Sequence, residues 1–74
     1  MKLKEALEVM AYHPEVMDIK YNTLYEPKGF YVESSLEYDA MVAKYGDYEI
    51  HEISAGQDCT LMVRLKEVLP NETN

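Results

Sequence analysis

Val16-Met17-Asp18-Ile19-Lys20-Tyr21-Asn22-Thr23-Leu24-Tyr25 is the stretch on which the fold of this chain turns. Met17, Ile19, Tyr21, Thr23 and Tyr25 alternate with Val16, Asp18, Lys20, Asn22 and Leu24, the period of two that belongs to an extended strand with one wetter face. The spacing predicts a single strand over 16–25. Glu26-Pro27-Lys28-Gly29 follows with turn chemistry: Pro27 is pre-set for the first central position and Gly29 is able to take positive φ. Phe30 to Glu33 is therefore expected to return antiparallel and close a hairpin.

Working outward, Leu3, Ala6, Leu7 and Met10 share one stripe of a short amphipathic helix over Leu3 to Tyr12, which His13-Pro14 ends because the residue before a proline is pushed out of the α region. On the other side, Ser34-Ser35-Leu36-Glu37 fits a capping box that opens a second helix. Tyr38, Met41, Val42 and Tyr45 form its apolar stripe, and Gly46 stands where a left-handed C-terminal cap is expected. Tyr48 to Ser54 reads as a strand, Ala55-Gly56-Gln57-Asp58 as a loop, and Cys59 to Glu67 as the returning strand, with Leu61, Val63 and Leu65 inward and Thr60, Met62, Arg64 and Lys66 outward. The predicted fold class is α+β in the order αββαββ: a four-stranded, mainly antiparallel sheet with two helices on one face and the other face open. Residues 1–69 form one domain, followed by a polar C-terminal tail over 70–74.

At 74 residues there is room for a single small core, since a domain of this size buries only about 60% of its unfolded surface. The composition, 47% hydrophobic and 28% charged, is globular; Tyr occurs seven times and Phe once, which suits a thin core whose residues also reach the surface. Cys59 alone forms no intramolecular disulfide, and two histidines with one cysteine fall short of a closed zinc pattern. No apolar run reaches the roughly 20 residues of a membrane span, and the charged opening does not read as a signal peptide, so a cytoplasmic location is expected.

The net charge of −7 is unevenly placed: residues 33–58 hold seven acids (Glu33, Glu37, Asp39, Asp47, Glu49, Glu52, Asp58) against Lys44 alone, a net of −6. Such a chain repels nucleic acid and anionic lipid, because affinity there depends on Lys and Arg neutralising phosphates. Direct nucleic-acid and membrane partners are therefore not expected. Carboxylates do, however, offer arginine the bidentate geometry that phosphates offer, and Tyr residues are interleaved with them. Glu37, Asp39, Asp47, Tyr48, Glu49 and Glu52 are accordingly the candidate partner-binding residues, for a protein with a basic surface such as a nucleic-acid-binding enzyme.

Catalytic, cofactor and metal residues are not expected. His13 and His51 lack a spaced second group, Cys59 beside Asp58 lacks the cations that would activate it, and Gly29, Gly46 and Gly56 are too far apart for a phosphate loop. His51 amid carboxylates would have a raised pKa and respond to mild acidity if it matters at all.

The opening Met1-Lys2-Leu3-Lys4-Glu5-Ala6-Leu7 helix, the hairpin, Tyr48-Glu49-Ile50-His51-Glu52-Ile53 and Thr60-Leu61-Met62-Val63-Arg64-Leu65 resemble the small acidic accessory proteins of phages and prophages, anti-CRISPR inhibitors among them. The resemblance is one of size, acidity and element order, and no functional residue carries over from it. It implies a protein-binding inhibitor or modulator, of a nucleic-acid-handling host defence enzyme in the sharpest form, acting as an acidic nucleic-acid mimic in a bacterial host cell. The alternative from a different class is a small homo-oligomeric structural or assembly protein, a homodimer in its simplest form, whose exposed apolar sheet positions pair two copies and whose acids only solvate it.

Overall fold

A computed structural model describes residues 1–27, 36–56 and 60–67. These form α1 (Leu3–Val9), β1 (Glu15–Met17), β2 (Thr23–Tyr25), α2 (Leu36–Tyr45), β3 (Ile50–Ala55) and β4 (Leu61–Leu65). The order αββαββ and the α+β class are as the sequence indicates, and the four strands lie β2-β1-β4-β3. β1–β2 and β3–β4 pair antiparallel, whereas the central pair, β1 with β4, is parallel, with Val16 opposite Val63. The sheet is therefore mixed but mainly antiparallel.

The stretch 16–25 is not one strand. It contains the first hairpin, because Asp18 turns the chain back on itself. The Asp18 carboxylate accepts hydrogen bonds from the Lys20 N–H (2.8 Å), the Asn22 N–H (2.9 Å) and the Asn22 side-chain amide (2.9 Å), and the backbone N–H groups of Asp18 and Tyr21 close the turn on Asn22 and Asp18 carbonyls. Tyr21 takes φ 69° to complete it, the left-handed region that a non-glycine residue enters only under such constraint. Period-two spacing thus persists through a turn whose hydrogen bonds reverse the chain. The predicted turn at Lys28-Gly29, the returning strand over 30–33, the Ser34 and Ser35 cap, the Gln57-Asp58 part of the predicted loop, the predicted strand start at Cys59 and the tail over 70–74 lie outside the described residues.

Two helix details also differ from expectation. α1 stops at Val9, with Met10 extended, three residues short of Tyr12, because the chain must descend to Pro14, which is fully buried at the entry to β1. Gly46 follows α2 as expected but not in a left-handed conformation; a Cβ there would lie 2.5 Å from the Val42 carbonyl oxygen and 3.3 Å from the Lys4 Cβ. Space, not φ, demands glycine. That close approach lets the first free N–H groups of α1 be satisfied across the molecule, Leu3 by the Tyr48 carbonyl and Lys4 by the Gly46 carbonyl, both at 2.9 Å.

The core is one cluster of Leu3 from α1, Met41 from α2, and Val16, Tyr25, Val63 and Leu65 from the sheet, so both helices cover the same sheet face. Leu7, Met10, Tyr38, Val42, Tyr45 and Ile50 pack around it. Each fully buried Leu or Val contributes roughly 1.5–3 kcal/mol by leaving water, and few such residues exist here. The helices end before the sheet does. Ile53 and Leu61, on the covered face by register with Val63 and Ala55, remain 44% and 47% exposed at the far end of the β3–β4 hairpin.

Candidate functional site

The six candidate contact residues fall into three places. Glu37 and Asp39 are exposed on the first turn of α2. Asp47, Tyr48 and Glu49 form the link from α2 to β3, which runs beside the N-terminal residues through a Lys2–Glu49 bridge. Glu52 lies on β3 opposite Arg64, and since Val63 points into the core, this pair projects from the sheet face that no helix covers. The residues do not converge on one patch.

Asp47, Glu49 and Glu52 are engaged by cations of the chain itself. Asp47 meets the Lys4 ammonium at 2.8 Å, Glu49 the Met1 amino group at 3.1 Å, and Glu52 the Arg64 guanidinium at 3.0 Å. Hydrogen bonding and then charge hold the Asp47 carboxyl below its ordinary range and lift the Lys4 ammonium above its own, although both groups stay largely in solvent, where such pairs are weak. The third pair is more enclosed. The Arg64 side chain is 12% exposed; besides Glu52 it donates to the Ile19 carbonyl at 3.0 Å, and its guanidinium lies 4.4 Å from the centre of the Tyr21 ring. The Asp18 turn thereby folds over the open sheet face and pins the arginine there.

A cluster that sequence reasoning missed lies at the entrance to β1. His13 stacks on Tyr38 with ring centroids 3.5 Å apart and planes 6° from parallel, Tyr25 meets both rings edge-on, and the Tyr25 hydroxyl lies 3.4 Å from His13 Nδ1. Burial pushes the His13 pKa down, with Asp39 opposing, so the ring is held neutral in the fold. Burial likewise raises the Tyr25 and Tyr38 hydroxyls, seconded by Tyr38 and Glu37 for Tyr25 and by Asp39 for Tyr38. All three rings are uncharged near neutrality and serve as a packed aromatic corner. Only the fold brings positions 13, 25 and 38 together; no spacing in the sequence marks them.

Beside this corner, β2 and α2 frame an open groove of about 540 Å³. Leu24, Tyr25, Met41 and Tyr45 line it, with Glu26, Glu37 and Lys44 as its charged members. Among the described residues there is no group of three or more His, Cys, Asp or Glu able to hold a metal ion, and no helix is long and apolar enough to cross a membrane. His51 is exposed at a bulge in β3, and the register shift between Ile50 and Glu52 leaves it opposite no single residue of β4. No family model, curated protein or solved structure matches the chain.

Proposed function

We propose that this protein acts by binding a protein partner that presents basic side chains, as a stoichiometric inhibitor or modulator, and that the β2–α2 groove is where it does so. The single observation that carries the reading is the groove's make-up. Aromatic and aliphatic walls from Tyr25, Leu24, Met41 and Tyr45 would take the stem of a lysine or arginine, and Glu26 and Glu37 would take its charge. An enzyme that handles nucleic acid, a host defence nuclease in particular, displays the matching basic surface and is the class of partner proposed. The acidic surface proposed is a short local one at the rim of this groove.

The test is fluorescence anisotropy with labelled arginine-containing peptides, titrated at low and high salt. The double variant Glu26→Lys with Glu37→Lys is expected to weaken binding at least tenfold, while Glu49→Gln changes it less than twofold. Binding that survives the double reversal, or that Glu49→Gln weakens equally, removes the groove as the site.

A further inference from the structure

We propose that β3 is the seam of a symmetric dimer, with two copies of this chain joined edge to edge into one continuous sheet. The proposal is independent of the groove and concerns the opposite edge of the sheet. In the β3–β4 ladder the Gly56 N–H donates to the Thr60 carbonyl at 2.8 Å, and Ser54 opposite Met62 and Glu52 opposite Arg64 follow in the same phase. Alternation then aims the N–H and C=O of Ile53 and Ala55 outward from the sheet. The start of this edge is occupied, since the Ile50 N–H donates to the Met1 carbonyl at 2.9 Å; past that point no described strand pairs with β3.

Proteins usually blunt such an edge with lysine, proline, a very short strand or a bulge. The other edge here is blunted: β2 is three residues long, is followed by Glu26-Pro27 and has α2 packed against it. β3 is six residues, Ile50-His51-Glu52-Ile53-Ser54-Ala55, with neither lysine nor proline, and its bulge lies at the occupied end.

A second copy fits this edge better than an unrelated strand for two reasons. First, a two-fold axis at Ile53 makes that residue its own partner, so the two copies exchange both backbone bonds there, and Glu52 faces Ser54 and His51 faces Ala55 across the axis. No like charges stand directly opposite. The exposed Ile53 side chains meet on the helix-bearing face, flanked by Leu61 and Ala55 of each copy. Second, a chain of net charge −7 repels its own copies over most of its surface, but not here, because Arg64 neutralises Glu52 and the N-terminus neutralises Glu49.

Sedimentation velocity on the full chain between about 1 and 200 µM, at low and high salt, reads the association. The expected result is a monomer–dimer equilibrium shifted toward dimer by salt, as screening relieves the residual repulsion. Ile53→Lys places like charges at the axis and is expected to weaken dimerisation at least tenfold with the circular dichroism spectrum unchanged, while leaving peptide binding at the groove intact. Hydrogen exchange on the wild type supplies a check that needs no variant: Ile53 and Ala55 amides should exchange more slowly as concentration rises, whereas Glu52 and Ser54 amides should not change. A chain that stays monomeric at 200 µM overturns the proposal, as does a dimer indifferent to Ile53→Lys, one that dissociates in high salt, or Ile53 and Ala55 amides indifferent to concentration.

Discussion

The two hairpins of this sheet are built on opposite principles. β1–β2 is three residues on each side and is held at its turn by polar chemistry: one buried carboxylate, Asp18, accepts the backbone N–H groups of Lys20 and Asn22 and the Asn22 side-chain amide. β3–β4 is longer, carries Val63 and Leu65 into the core, and has the Gly56 N–H donate to the Thr60 carbonyl at the end of its ladder. A short strand pair contributes little apolar area and relies on local hydrogen bonds, while a longer one relies on burial and leaves more strand than its neighbours cover. The same trade explains why, among the described residues, one edge of the sheet is shielded and the other is covered only at its start.

The harshest way to break the contrast is Leu65→Ala. Leu65 is fully buried in the cluster that joins both helices to both hairpins, so its truncation should cost about 3 kcal/mol. A domain of this length holds only roughly 4–11 kcal/mol in total, so a large share would go. Urea unfolding should show the loss in a single transition, with both hairpins melting together.

Asp18→Ala sharpens the contrast instead. Three accepted hydrogen bonds vanish and their donors are left behind, at a cost of about 2 kcal/mol. Hydrogen exchange should quicken in β1–β2 well before β3–β4. Acid should discriminate the variant as well. Burial alone would raise the Asp18 pKa, but the Asn22 and Lys20 donors outweigh it and hold the carboxyl below its ordinary value near 3.8. A depressed folded pKa means stability that is complete above the unfolded value and is lost as pH falls through the folded one. Wild-type protein should therefore lose this contribution below about pH 4, and Asp18→Ala should show a correspondingly flatter acid limb in unfolding measured from pH 7 to pH 2.5.

The smallest effect comes from Tyr21. Replacing it by Ala or by Gly removes the same ring from Arg64, but only Gly is at ease at φ 69°. Tyr21→Gly should be more stable than Tyr21→Ala by about 1 kcal/mol in thermal unfolding. Equal stabilities would mean that the turn relaxes out of the left-handed region.

What could be read from residues alone follows the same division. Alternation identified β3 and β4, with Leu61, Val63 and Leu65 correctly on one face, and the 3.6-residue stripe identified both helices, because these elements are organised by burial and burial imposes a period. The first hairpin escaped that logic. A turn made by Asp18 with Asn22 leaves the alternation around it unbroken, and the only clue was that Asp and Asn are poor strand residues, able to hydrogen-bond their own backbone instead. Among the candidate contact residues, charge count located the acids but not their partners. Lys4 lies 43 residues from Asp47, Arg64 lies 12 from Glu52, and the N-terminus 48 from Glu49, so each neutralisation exists only once the chain has folded. The His13, Tyr25 and Tyr38 corner is hidden for the same reason.

Parallel pairing of β1 with β4 sets the order in which the chain can mature. The strand that lies next to Val16 is centred on Val63, so the middle of the sheet stays unfilled until the chain through β4 has left the ribosome. Contacts between segments so remote in sequence slow folding, since the intervening loop must be closed before any of its reward is collected. Removing residues from 61 onward would expose the flank of β1 and take Val63 and Leu65 out of the core at once, leaving the first half of the chain without the partner it was waiting for.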